Sequence, residues 1–215
     1  MTDYELKNID SEDLEDIIKV EASFGIKFID DELVHITTFG QLCNHIANKI
    51  QLDNAADCTS QQAFYKLRDA ISSLLQVDNK TISTDTSLID IFPRSCRRSR
   101  SMKIEKHLGF KLNILRPPFW VTGTLFIIIL LSLVGMIITW KIGLLVFVFS
   151  IFGLWFAYRI GNELDLQTVG QVAEKMTREN YIKSRRNPKT FNKKEIENVL
   201  IDWFSNDLDL DKSNS

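Results

Sequence analysis

Three residues near the start of the chain carry metal-ligand chemistry: His35, Cys43 and His45. A closed zinc site needs four such ligands, and only Cys43 and His45 are close in sequence. The spacing Phe39, Leu42, Cys43, Ile46, Ile50 puts Cys43 on the apolar face of a helix, so core packing is expected for it and no metal site is predicted. No glycine-rich phosphate loop, no Ser-His-Asp order and no carboxylate pair in an apolar setting appears. Two serines at helix starts remain, Ser11 and Ser95. Ser11 reads as a helix cap, and Glu12, Asp13, Glu15 and Asp16 behind it suit the positive end of the helix dipole. Those four carboxylates also form the candidate partner-binding surface. The chain is not expected to be an enzyme.

A basic run follows: Arg94, Arg97, Arg98, Arg100, Lys103, Lys106, Lys111 and Arg116. It reads as a stretch facing anionic lipid at the cytoplasmic end of a membrane span. Docking against the acidic helix is a second reading. Nucleic acid is not expected, because no aromatic platform interleaves the arginines.

The elements that position these residues emerge when charge is counted by region. The chain has 215 residues and a net charge of −2. Residues 1–93 carry 7 basic and 17 acidic side chains, residues 94–194 carry 18 and 5, and residues 195–215 carry 1 and 6. The neutral average therefore hides an acidic arm, a basic middle and an acidic tail. Gly (9) and Pro (4) are too scarce for a turn-rich all-β chain, and three cysteines exclude a disulfide scaffold.

Inside the basic region, Phe119–Trp140 is an uncharged run of 22 residues and Ile142–Tyr158 one of 17. As helices they measure about 33 Å and about 26 Å, against a hydrocarbon core of about 30 Å. The reading is a transmembrane hairpin over 119–158, turning near Lys141. Trp120, Lys141 and Arg159 stand at the span ends with Arg97, Arg98, Arg100 and Arg116 as interface residues. Basic flanks at both outer ends place both termini in the cytoplasm, at an inner or plasma membrane. The acidic opening residues do not resemble a secretory leader. Membrane lipid is thus a predicted partner.

The soluble parts repeat. Lys19–Phe28 reads against Lys103–Leu112 with Lys, Glu, Gly and Lys identical and four apolar positions exchanged for other apolar residues. Thr38-Phe-Gly-Gln-Leu42 reads against Thr168-Val-Gly-Gln-Val172, and Glu32-Leu33 against Glu163-Leu164. The interval from Gly25 to Thr38 is 13 residues and that from Gly109 to Thr168 is 59, so the hairpin is inserted into the second copy. Each copy runs from an amphipathic helix ending at glycine, through an extended stretch and a short helix begun in the first copy by Asp30-Asp31-Glu32-Leu33, to a helix capped by threonine.

Glu21 to Phe28 and Ile36-Thr37-Thr38-Phe39 resemble the acyl carrier protein family, in which a second helix leads to an extended segment and a short third helix before a threonine-capped fourth. In the second copy Phe64 to Val77 matches helix one, and Ile82 to Phe92 the long loop after it. The resemblance implies a four-helix bundle per copy. It also implies phosphopantetheine on a serine at the start of helix two, in Asp-Ser-Leu. Here that position is Asp10, with Ser11 one place late and followed by Glu12; in the second copy it is Arg94, beside Ser95. Ser11 is the weak phosphopantetheine candidate, and no cofactor is expected.

The first copy lacks a first helix. The segment 195–215 opens with an amphipathic helix (Ile196, Val199, Leu200, Trp203, Phe204, Leu208) that pairs with the second copy's helix one, Leu67 with Leu200 and Ile71 with Phe204. This helix, over 193–210, completes the first bundle in the same chain, swaps into a second copy to make a homo-oligomer, or docks a partner. The expected fold is all-α: one module over 1–50, another over 61–116 plus 160–182, the hairpin, an exposed basic linker over 183–194, and the C-terminal helix. The expected function is a membrane-anchored, non-enzymatic adaptor with a protein partner. The alternatives are a membrane-tethered acyl carrier and a small membrane-complex subunit packing through Gly123, Gly135, Gly143 and Gly153.

Overall fold

The computed structural model describes residues 11–29 and 32–204, with side chains described from Ile17 to Ile201. It is mostly helical, and its apolar side chains gather into two cores.

The second core is built on α3 (Thr59–Leu75), which crosses α5 (Arg97–Leu108) and α8 (Val169–Glu179). Ala63, Leu67, Ala70 and Ile71 recur at helical spacing on one face of α3 and are fully buried against Ile104, Val169, Val172 and Met176. The short α4 (Leu88–Ile91) closes one end with Leu88 and Ile91. The extended stretch after α5 adds Phe110, Leu112 and Ile114.

Between Ile114 and Val169 the chain leaves this core as α6 (Phe119–Ile138) and α7 (Trp140–Ile160), antiparallel neighbours packed along their length. Exit and return are tied by β2 (Leu115–Arg116) and β3 (Glu163–Leu164), an antiparallel pair. At the return, a Cβ on Gly161 would lie 2.5 Å from the carbonyl carbon of Arg116, so only glycine lets the strands close. At the far turn, a Cβ on Gly143 would lie 2.5 Å from the Met136 nitrogen. Gly153 faces Leu125, whereas Gly123 meets nothing within 4 Å. Gly143 and Gly153 are thus spent within the hairpin itself.

Both helices are long and apolar enough to cross a membrane, with mean hydropathy 2.7 and 1.9 over their most apolar windows. Only 6% and 17% of those windows is buried, which excludes a core hairpin shielded by the rest of the described chain. Ser132 and Ser150 turn their hydroxyls back to the Ile129 and Val146 carbonyls, so neither leaves a bare hydroxyl donor on the hairpin.

The first core holds Val20 and Phe24 from α1 (Ser11–Phe24) and Phe39, Leu42, Cys43, Ile46, Ala47 and Ile50 from α2 (Phe39–Lys49). It also holds Ile196 and Leu200 from α10 (Lys193–Phe204) of the same chain. Tyr181 of α9 (Tyr181–Ser184) and Phe191 fill the space between. On α1, Val20 and Phe24 point inward while Ile18 is 57% exposed, because a helical face admits i, i+3 and i+4 positions and not their immediate neighbours. Trp203, Phe204 and Leu208 lie outside the described side chains.

Corresponding positions of the two bundles make the same bonds. Glu21 Oε1 accepts from the Phe28 amide, and Glu105 Oε1 accepts from the Leu112 amide at 3.0 Å. Gly25 (φ 66°) and Gly109 (φ 79°) end α1 and α5 in the left-handed region that favours glycine. Thr38 and Thr168 each head a capping box with a glutamine three residues on. Glu32 to His35 form a turn where a short helix was expected, and Asp30 and Asp31 lie outside the described residues.

The stretch 183–194, expected to be an exposed linker, keeps most of its basic side chains exposed but is also a structural seam. Ser184 and Arg185 are fully buried, and β4 (Thr190–Phe191) pairs in parallel with β1 (Asp53–Asn54). Charge alone misled here: a lone arginine in a basic run can be an internal residue once a carboxylate reaches it. Arg185 donates to Thr59 Oγ1 at 2.5 Å and to Thr190 Oγ1 at 3.1 Å, and lies 3.9 Å from Glu195. Glu195 accepts from the Thr59 hydroxyl, from the Thr59 amide at 2.8 Å and from the Tyr181 hydroxyl at 3.0 Å. Glu195 thereby caps α3, whose own N-cap residue Cys58 makes no side-chain cap bond.

Leu200→Ala is expected to cost about 2–5 kcal/mol by emptying the first core. Glu195→Ala is expected to cost about 3–5 kcal/mol by leaving the Arg185 charge buried and unpaired. Denaturant unfolding of the full chain in detergent measures both; a change below about 0.5 kcal/mol, the level of a surface substitution, would contradict the packing of α10 described above.

Candidate functional site

Ser11 opens α1, and Glu12, Asp13, Glu15 and Asp16 occupy its first turns. Their side chains lie outside the described ones, so the phosphopantetheine candidate and the acidic surface are located by backbone alone. His35, Cys43 and His45 are not brought together as a ligand set. Cys43 is buried in the first core, where loss of hydration pushes its thiol up to about 12. His35 is exposed on the turn. His45 Nε2 lies 2.8 Å from Glu32 Oε1. Among the described residues no group of three or more His, Cys, Asp or Glu could hold a metal ion.

Glu32 instead anchors the loop before α2. It bonds Lys49 Nζ at 2.5 Å and accepts from the Ile29 amide at 2.8 Å. The Lys49 hydrogen bond, followed by the amide, lowers its carboxyl to about 2 from the ordinary 4.5.

The basic run divides into two kinds of residue. Arg97, expected at the membrane interface, is buried. Its Nε donates to the Phe92 carbonyl at 2.9 Å and its Nη1 to the Asn162 carbonyl at 2.6 Å, so it clamps the loop before α5 to the hairpin's return strand. Arg100 is half-buried and donates to the Ile91 carbonyl at 2.6 Å, satisfying the end of α4. Neither is free to face lipid, because each is drawn inward by backbone acceptors that the sequence does not display.

The other predicted interface residues are exposed. Arg98 donates to the Arg159 carbonyl at 2.7 Å, at the last turn of α7. The Arg159 guanidinium lies 5.5 Å from the Trp155 ring centroid. Arg116 pairs with Asp165 at 2.9 Å, beside the start of α6. Trp120 is exposed near the entry of α6, and Lys141 at the far turn. Arg94 pairs with Glu163 at 2.7 Å, and Asn162 Nδ2 donates to the Arg94 carbonyl. Asn162 and Glu163 were missed as partners of the arginines; the only signal for them was the return of polar residues directly after Ile160.

These contacts frame a cleft of about 670 Å³ where α5 meets the end of α7. Arg94, Arg98, Lys103 and Lys106 line it, with the Ser95 and Ser99 hydroxyls, Met102 and Ile160; no carboxylate does. Spacings of three and four residues place 98, 99, 102, 103 and 106 on one side of α5, opposite the buried Ile104 and Leu108, with Ser95 in the turn just before the helix. The cleft offers positive charge beside apolar surface, an arrangement that suits an anion. No family model, no curated protein and no solved structure matches the chain.

The ionised Glu32 stabilises the first bundle fully above its ordinary pKa of 4.5 and ceases to do so as the pH falls toward about 2. Thermal melting should therefore fall between about pH 5 and about pH 2, and Glu32→Gln should flatten that part of the profile. An unchanged profile in the glutamine variant would remove Glu32 from the account.

Proposed function

We propose that the chain is a non-enzymatic membrane-anchored adaptor. In this reading two acyl-carrier-like bundles, copies of one module, stand on the cytoplasmic face of a two-span hairpin. The copy relationship is supported by the matched Glu21 and Glu105 bonds, the matched glycine caps and the matched capping boxes. The observation that carries the adaptor reading is the use made of the helix start in the second bundle. Where a working carrier would present its serine, Arg94 and Arg97 hold Asn162 and Glu163 of the hairpin's return. That corner fastens bundle to anchor, and an arm swinging a prosthetic group would have to leave from a point occupied by the fastening. Rigid attachment suits a surface that presents itself to a partner, and the acidic first turns of α1 offer the charge for one.

Intact mass decides between adaptor and carrier. Full-length protein incubated with a phosphopantetheinyl transferase and coenzyme A should keep its mass; a pantetheine adduct on Ser11 or Ser95 would establish the carrier instead. Topology has its own test. Exposed Cys58 should react with a membrane-impermeant maleimide only once the membrane is opened, and buried Cys43 only after unfolding. Labelling of Cys58 from outside intact cells would reverse the orientation.

A further inference from the structure

The basic cleft at the foot of the hairpin contains more positive charge than the fold uses. Arg94 and Arg98 are engaged, by Glu163 and by the Arg159 carbonyl. Lys103 and Lys106 line the same cleft, are exposed, and make no hydrogen bond or ion pair among the described residues. Two unpaired ammonium groups one helical turn apart repel each other weakly, and an anion between them relieves that repulsion.

The cleft also exposes apolar surface in the midst of that charge. Met102, between the cations on α5, is 60% exposed, and Ile160, the last residue of α7, is 49% exposed. Ile160 fixes the depth: it ends a helix long enough to cross a bilayer, so the cleft opens where hydrocarbon gives way to headgroups. A nucleic acid would find no aromatic side chain in the lining on which to stack a base. An acidic peptide would have no use for Met102 and Ile160 at the membrane boundary.

We propose that this cleft seats the phosphate of an anionic phospholipid, between Lys103 and Lys106 with the Ser99 hydroxyl beside them, while its acyl chain lies along Met102 and Ile160. The lipid then bridges a cytoplasmic helix to a membrane helix and gives the anchor a preference for anionic membranes. This rests on the hairpin being embedded, as the adaptor reading requires.

The test uses the full chain. Flotation with phosphatidylcholine vesicles reports embedding by itself, and a chain that fails to float refutes the anchor reading rather than the cleft. For protein that floats, native mass spectrometry from detergent compares retained phosphatidylglycerol with phosphatidylcholine, and a third arm adds inorganic phosphate as competitor. Wild type should prefer phosphatidylglycerol, and K103Q/K106Q should weaken that binding by about thirtyfold, the combined effect of two lysines at an anionic surface. K189Q/K194Q, two exposed lysines outside the cleft, should leave it unchanged. Equal retention of both lipids, or an unaltered preference in K103Q/K106Q, would overturn the proposal. So would displacement by inorganic phosphate at the lipid's own concentration, which would identify a site for free phosphate. All substituted lysines are exposed, and a circular dichroism melt matching wild type confirms folding.

Discussion

One carboxylate, that of Glu195, is the point on which both bundles depend. It lies on the helix that completes the first core and caps the helix that founds the second. A carboxylate taken out of water is costly unless its oxygens are met, and here they are met by an amide, two hydroxyls and a nearby guanidinium. Tyr181 takes part in the same cluster while its ring packs 5.0 Å from that of Phe24. Burial, the leading cause, pushes the Tyr181 phenol up, and the group remains a neutral donor. Ser23 carries the contact further, donating to the Arg178 carbonyl and accepting from the Tyr181 amide. Polar groups thus specify how two apolar cores meet, a task for which non-directional hydrophobic burial has no means.

A second joint repeats this logic at the foot of the hairpin. Arg97 is to the hairpin what Arg185 is to the C-terminal segment: a buried cation that reaches a backbone carbonyl distant in sequence, that of Asn162 for Arg97 and of Asp57 for Arg185. Both stand in basic runs whose other members, Arg100 apart, are exposed, and arginine's planar fork of donors suits this role as lysine's single ammonium does not.

What the sequence made legible was the pattern of period and spacing. The hairpin follows from two uncharged runs, the core face of α2 from apolar positions at helical intervals, and the helix ends from Gly25, Gly109, Thr38 and Thr168. The placement of α10 against α2 was one of three arrangements left open, because an amphipathic face shows that it needs cover and not what supplies it. The roles of Arg97, Arg185 and Glu195 were illegible for a different reason. Each bonds to groups at least 65 residues away, and a charged residue in a charged neighbourhood shows no local sign of being internal. The cleft was half-visible: the density of cations marked it, but only the fold separates Lys103 and Lys106 from the arginines already committed to carbonyls.

The nesting of the hairpin inside the second bundle bears on the order in which the chain can be made. When α6 and α7 leave the ribosome, the second core still lacks Val169, Val172 and Met176, and the first still lacks Tyr181, Phe191, Ile196 and Leu200. Neither globular part can close before the spans are synthesised. A chain of this topology exposes two long apolar helices while both globular halves are unfinished, and its last described helix, α10, completes the first core. Closure of both globular parts therefore waits until the two apolar helices have emerged.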